Sequence, residues 1–248
     1  MLILGGCHMT FLLPLKLFDR NWDQDLPYYY EQVLDKKECD DICTWKDVEY
    51  CLNLPNFFDI DVVSKHEIQK INPQKHPRSW AGQGWEEKSE LFHLFKEGHT
   101  FIINNYSFRS KKIMDMVDQW SKIFSGDSQF QIYCGMGQSN SFYIHEDLPN
   151  NFIVQLRGKT KWKVFNERRA TFVAQATPGD AQVDYDSFTP AIDVELNAGD
   201  ALYIPPRCYH QAQPSEERIS LSIPVHHYSL YHAHSITRPV DWKWYNIY

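Results

Sequence analysis

Residues 141–165 read SFYIHEDLPNNFIVQLRGKTKWKVF and have the clearest strand-and-turn pattern of the chain. Apolar and aromatic residues dominate three short runs. Turn-forming residues separate them, first Pro149 with Asn150 and then Gly158. Runs of this kind, bounded by Pro, Asn and Gly, predict short strands joined by turns. The predicted strands cover residues 141–145, 152–157 and 160–165.

The same pattern of short apolar runs separated by turn-forming residues continues on both sides of this stretch. Five further strands are predicted, at residues 130–134, 192–196, 201–204, 209–212 and 219–225. Residues 166–190 have the composition of a polar insertion between two strands. About eight short strands at this spacing are typical of a double-sheet jelly roll. The expected fold is therefore mainly β, a double-stranded β-helix of the cupin architecture.

Residues 10–100 have a different pattern, which we interpret mainly as short helices and loops. Thr44 followed by Asp47 is a helix-start signal. Helices are also predicted at residues 86–96 and 111–124, with a strand at 100–103 between them. The simplest organisation is one domain over residues 1–248. Its expected parts are a helical N-terminal cap at 1–100, a β-helix core at 101–226 and a C-terminal tail at 227–248.

Composition restricts the class of protein. The chain has 248 residues with 25 Lys+Arg and 32 Asp+Glu, a net charge of −7. General nucleic-acid binding is not expected, because such binding depends on basic residues that neutralise phosphates. The apolar runs are shorter than the ~20 residues of a membrane span, so no membrane attachment is expected. The six cysteines lack zinc-site spacing and indicate free, mostly buried thiols in a reducing compartment, hence a cytoplasmic protein.

One constellation of residues points to metal chemistry. His145 and Asp147 lie two apart at the end of a predicted strand, so their side chains point to the same side. His210, on a later strand, is the best candidate for a third ligand. Two histidines and one carboxylate hold one face of an Fe(II) ion and leave the opposite face open. The alternative is that His145 is an ordinary solvated loop residue, since a His-x-Asp triplet arises readily by chance.

The stretch from His145 to Phe165 resembles the JmjC-type cupin hydroxylases, most of all their ribosomal-oxygenase branch. So do LNAGDALYIPP at 196–206 and YHQA at 209–212. Only a short tail follows Val225, so the winged-helix domain of that branch is not expected. Members of the family are mostly Fe(II)- and 2-oxoglutarate-dependent oxygenases. The resemblance implies both cofactors, with His145, Asp147 and His210 as the iron ligands. Asn151 matches a position near the cosubstrate in some relatives.

The sequence departs from the family pattern at the usual basic residue for the cosubstrate's distal carboxylate. Thr160 stands at that position, and strand alternation points Lys159 and Lys161 to the opposite face. Arg218 is the candidate replacement, because Arg218-Ile-Ser220 resembles the Arg-x-Ser pair of other 2-oxoglutarate oxygenases. Ser220 and Ser222 are two and four residues further along the same predicted strand, so their side chains lie on the same face as that of Arg218. The small side chain of Thr160 would leave space for the Arg218 guanidinium. The alternative for Arg218 is a surface residue beside Glu216 and Glu217.

The resemblance therefore implies a dioxygenase that hydroxylates an amino-acid side chain of a protein or peptide, or a small molecule. One alternative is an iron-dependent oxygenase that does not use 2-oxoglutarate. Another is a catalytically silent cupin that acts as a binding module. Aromatic segments at residues 28–30 and 242–245 are candidates for a substrate groove or a homodimer contact, although aromatic residues more often fill a core. The histidines of the tail are interpreted as packing or surface residues.

Overall fold

The computed structural model describes residues 26–54, 57–64, 67–70, 92–124, 126–137, 141–168 and 184–227. Its helices of seven or more residues are α1 (Lys36–Ile42), α2 (Trp45–Leu52) and α3 (Lys111–Ile123). The strands before residue 140 are β1 (Tyr28–Tyr30), β2 (Ile60–Ser64), β3 (Glu67–Lys70), β4 (Thr100–Ile103), β5 (Gly126–Ser128) and β6 (Gln131–Gly135). The later strands are β7 (His145–Glu146), β8 (Asn150–Arg157), β9 (Thr160–Arg168), β10 (Pro190–Leu196), β11 (Ala201–Ile204), β12 (Cys208–Pro214) and β13 (Arg218–His227).

The strands form two antiparallel sheets. The larger sheet has the order β1-β11-β8-β13-β6-β4-β2-β3, with β5 paired to β13. The smaller sheet has the order β10-β9-β12-β7. Because the chain passes repeatedly between the two sheets, they form a jelly roll, and the predicted double-stranded β-helix is confirmed.

Alternation along β13 separates the two faces of the larger sheet. Ile219, Leu221 and Ile223 are buried in the main hydrophobic core. That core also contains Trp120 of α3, whose ring packs against Phe124, Phe130 and Phe152. The intervening residues of β13 turn to the other face, as period-two alternation requires. The helical layer therefore supports the sheet from behind and leaves a row of polar side chains facing inward.

The smaller sheet divides its residues in the same way. Trp162 and Val164 belong to a second buried cluster between the sheets. Lys159 and Lys161 point outward, where their ammonium groups lie 3.3 Å from Glu195 and 3.4 Å from Asp193. The basic residues that flank Thr160 are thus on the outer surface, as predicted.

The interpretation of residues 10–100 as mainly helices and loops was wrong in part. Three strands of this region, β1, β2 and β3, extend the larger sheet on both sides. The helix α1 was also missed, although Asp35 and Glu38 form a capping box at its start. The predicted α2 is confirmed, with Thr44 and Asp47 in a capping box. Of the helix predicted at 86–96, residues 92–96 are helical and the rest lie outside the described residues.

Other boundaries were close to prediction, with one clear exception. The strand predicted at 141–145 is only the two-residue β7, because its partner β12 pairs with no more than His145 and Glu146. The insertion predicted from residue 166 begins later, since β9 continues to Arg168.

Five cysteines of the described chain are free and buried: Cys39, Cys43, Cys51, Cys134 and Cys208. The aromatic and histidine-rich tail from residue 228 lies outside the described residues. Among the helices that the structure describes, none has the length and apolar character needed to span a membrane.

Candidate metal centre and cosubstrate cavity

The pairing of β7 with β12 sets His145 directly opposite His210. Their imidazole rings lie 4.4 Å apart between centroids. Asp147 follows β7, and its Oδ2 is 3.4 Å from Nε2 of His210. Candidate ligand atoms of all three residues lie within 4.8 Å of one another. Glu146 turns the other way, with Oε2 3.3 Å from Nε of Arg207, so alternation leaves the histidine and the aspartate on one side.

Both imidazoles are held in one orientation by the backbone. Nδ1 of His145 lies 2.8 Å from the carbonyl oxygen of Tyr143, and Nδ1 of His210 lies 2.9 Å from that of Cys208. A carbonyl only accepts hydrogen bonds, so each Nδ1 carries the proton. When such a ring is neutral, its lone pair is on Nε2, which is the arrangement of a metal-binding histidine with a supporting hydrogen bond.

The charge of Asp147 also suits a cation. Burial raises the pKa of Asp147, but the hydrogen bond to His210, the two imidazole charges and a hydrogen bond from Asn151 outweigh it and lower that pKa to about 2. Burial, together with the neighbouring His210, lowers the pKa of His145. For His210, burial lowers the pKa, but the hydrogen bond and charge of Asp147 raise it more, so a metal ion would compete with a proton for Nε2. A carboxylate and two imidazoles are the donor set that Fe(II) takes in facial-triad sites.

Asn151 connects this aspartate to the larger sheet. Its side chain hydrogen-bonds Asp147, and its Oδ1 accepts a hydrogen bond of 3.0 Å from Oγ of Ser222. Asn151 was predicted near the cosubstrate. The structure places it in the same cavity, in contact with the carboxylate of Asp147.

The three residues open into a cavity between the sheets. It encloses about 490 Å³ of empty space, part of which is its open mouth. Besides the triad and Arg218, its lining includes Tyr133, Phe142, Asn151, Trp162, Ser220 and Ser222. The structure therefore brings four of the five predicted cosubstrate residues into one cavity with the triad. Thr160, the fifth, is buried on the inner face of β9 two residues from Trp162 and outside the described lining.

Arg218 is buried, with 2% of its surface exposed, so it is not a surface residue beside Glu216 and Glu217. One of its guanidinium nitrogens, Nη2, donates to Oγ1 of Thr100 at 3.2 Å. Burial lowers the pKa of Arg218 to about 10, and the side chain remains a cation at neutral pH. A buried guanidinium on a cavity wall is suited to a carboxylate.

The sequence reasoning missed Tyr133, Phe142 and Trp162 as lining residues. Tyr133 pairs with Ser220 across β6 and β13, which gives the two residues the same face. Burial raises the pKa of Tyr133, as do the charges of Asp147 and Asp61, so the phenol keeps its proton. The available signal was the alternation of side chains along the strand of Tyr133. It shows which residues share a face with Tyr133, but that face can be assigned to the cavity only once the partner strand is known.

Comparisons with known proteins point to one family. The JmjC domain family matches residues 102–233, just over half of the chain. The bifunctional lysine-specific demethylase and histidyl-hydroxylase NO66 of Aedes aegypti is 24% identical over 216 residues, which are 87% of this chain and 31% of that protein. Its Dictyostelium discoideum counterpart is 27% identical over 186 residues, which are 71% and 33% of the two chains. The chain spans about a third of the length of these relatives.

Solved structures agree on the fold. The ribosomal oxygenase YcfD of Escherichia coli, in complex with cobalt and 2-oxoglutarate, has a TM-score of 0.55 and 18% identity. The similarity covers 83% of this chain and 51% of that one. At this level of identity the likeness establishes the shared double-stranded β-helix.

Proposed function

Because the chain belongs to the JmjC domain family, we propose that it is an Fe(II)- and 2-oxoglutarate-dependent dioxygenase, a hydroxylase. The observation that carries the proposal is the combination of His145, Asp147 and His210 with the buried cation of Arg218 in one cavity. A metal triad alone fits many cupins, and fold alone does not define function. A triad with a buried guanidinium fits a metal together with an anionic cosubstrate.

The donor chemistry of the cavity fits both groups. The two Nε2 atoms and the Asp147 carboxylate would hold Fe(II) from one side, and Arg218 would hold the distal carboxylate of 2-oxoglutarate. When bound, iron and 2-oxoglutarate would supply the chemistry by which O₂ hydroxylates a C–H bond, with one oxygen atom going to the substrate and the other to the succinate that 2-oxoglutarate forms on losing CO₂. This chain's residues bind and orient the two groups, while Trp162 and Ile153 make the wall apolar and limit the access of water. The binding of cobalt and 2-oxoglutarate by YcfD, which shares the fold, supports the assignment.

The proposed substrate is an amino-acid side chain of a protein or peptide. Names of the curated relatives, histidyl-hydroxylase and ribosomal oxygenase, support this class. A small-molecule substrate is the alternative left open by the sequence. A cytoplasmic location and a homodimer stay predictions.

The test is anaerobic visible absorption of the Fe(II)-loaded protein during a titration with 2-oxoglutarate. We expect a saturable metal-to-ligand charge-transfer band that is absent from His145→Ala. Iron binding without the band would favour an oxygenase independent of 2-oxoglutarate. Failure to bind iron would favour a silent binding module, and either result would overturn the proposal.

Removing the amide that supports Asp147 is expected to weaken metal binding. In Asn151→Ala the carboxylate loses a hydrogen bond that holds it in place, so we expect roughly 10–100-fold weaker affinity, the usual effect of losing such support. Ser222→Ala serves as the graded control, because it removes only the hydrogen bond to Asn151 and should cost less. Calorimetric titration with Co(II) measures the metal affinity of both variants. Equal affinity in wild type and Asn151→Ala would show that this amide does not position Asp147.

A further inference from the structure

Trp162 combines three properties on the cavity wall. Its side chain lines the cavity and is only 9% exposed. The indole stacks on the ring of His210, with centroids 6.1 Å apart and planes inclined by 29°. Its Nε1 is buried and has no hydrogen-bond acceptor among the described residues.

An indole N–H is a donor and never an acceptor, so it needs an acceptor. Leaving such a group unsatisfied in the interior is unfavourable, and most buried polar groups are hydrogen-bonded. Arg218, on the same lining, also has only donors, and the phenol of Tyr133 has a proton to donate. A wall rich in donors is complementary to a ligand rich in acceptors. The carboxylate oxygens of 2-oxoglutarate are such acceptors.

We propose that the indole N–H of Trp162 donates a hydrogen bond to a carboxylate oxygen of bound 2-oxoglutarate. This inference rests on the proposed function and assigns Trp162 a binding role beyond that of an apolar wall. It makes Trp162 a partner of Arg218, contributed by the opposite sheet.

A second tryptophan of the chain serves as a matched comparison. Trp120 is also buried, and its Nε1 likewise has no acceptor among the described residues. Trp120 belongs to the core behind the larger sheet and does not line the cavity. An unpaired indole is therefore not by itself a ligand site in this protein, and the cavity position distinguishes Trp162. Trp162→Phe and Trp120→Phe make the same chemical change in the two places.

The direct experiment records indole N–H resonances of the ¹⁵N-labelled, Zn(II)-loaded protein by NMR. Trp162→Phe identifies the Trp162 resonance by its disappearance. On saturation with 2-oxoglutarate we expect this resonance to move downfield and its exchange with solvent to slow, while the Trp120 resonance stays in place. Zinc keeps the sample diamagnetic and catalytically silent, so the readout does not depend on turnover.

Affinity provides the second readout. Trp162→Phe is expected to weaken 2-oxoglutarate binding to the Zn(II) protein roughly tenfold to a hundredfold, the range for a hydrogen bond to a charged group, and Trp120→Phe should leave it unchanged. If 2-oxoglutarate binds but the Trp162 resonance and the affinity of Trp162→Phe do not change, the inference is wrong and the proposed function stands. If wild type binds zinc but no 2-oxoglutarate, the inference and the proposed cosubstrate both fail.

Discussion

Arg218→Ala is expected to weaken 2-oxoglutarate binding by at least about 100-fold, since each hydrogen bond to a charged group contributes about 1.5–3 kcal/mol. The guanidinium is 2% exposed and lines the cavity, so its loss would leave a cosubstrate carboxylate in a site that water does not readily solvate. Anaerobic titration of the charge-transfer band gives the dissociation constant. Binding as tight as in wild type would remove Arg218 from the site.

A basic residue at the position usual in the family should rescue that loss. Thr160 is buried on the inner face of β9, two residues from Trp162, so a lysine there can extend its ammonium group into the cavity. We expect Arg218→Ala with Thr160→Lys to recover about tenfold or more of the lost affinity, because it restores one charge-assisted hydrogen bond. Lys161→Ala is the control. That exposed lysine pairs with Asp193 on the outer surface, so its loss should leave the affinity for 2-oxoglutarate unchanged. No recovery in a folded double variant would show that only the β13 position can hold the carboxylate.

Gly158→Ala is expected to be the most destabilising glycine substitution in the strand region. Gly158 has φ +63°, and a Cβ there would lie 1.8 Å from the carbonyl oxygen of Glu217. Because that neighbour is backbone, β8, β9 and the start of β13 must separate to relieve the contact. We expect a loss of about 3–5 kcal/mol in the free energy of unfolding, measured by urea denaturation.

Gly137→Ala is the matched control for this prediction. Gly137 has a similar φ of +72°, but a Cβ there meets no atom within 4 Å in the described part of the chain. For Gly137→Ala we expect the free energy of unfolding to fall only by the cost of holding an alanine at positive φ, about 1–2 kcal/mol. Equal losses at the two glycines would mean that the close approach to Glu217 is relieved without cost. Since Glu217 precedes Arg218, Gly158→Ala should also weaken 2-oxoglutarate binding, whereas Gly137→Ala should not.

Local signals predicted the parts of the fold that depend on local chemistry. Thr44 with Asp47 marked a helix start, and Gly158 marked a turn between two strands. The strand β1 was missed because its pairing is non-local. The strands β2 and β3 pair with each other, but among the described strands they join the rest of the sheet only through β4. Tyr28 pairs with Tyr203, and a run of three tyrosines has no alternation to indicate a strand. Nothing near residue 28 in the sequence signals the edge that it joins.

The residues of the candidate site also divide into those that a local pattern predicted and those that it did not. His145 and Asp147 were recognisable because alternation sets them on one side, and Arg218 because it shares parity with Ser220. The lining residues Tyr133 and Trp162 depend on which strands face each other across the cavity. That arrangement follows from the register of both sheets, for example Tyr133 opposite Ser220, and a single strand does not contain this information.

The first strand of the sheet is also synthesised long before its partner strand. The hydroxyl of Tyr29 reaches Asp200 across 171 residues, and the backbone N–H of Gln32 donates to the same carboxylate. At roughly 5–20 residues per second, a ribosome takes about 10–30 s to make the chain between them. During that time β1 is a strand without its partner, a state in which pairing with other chains is a hazard. The tyrosine segment of a nascent chain is therefore exposed to pairing with other chains until β11 emerges, and a chaperone that covers the segment would protect it until then.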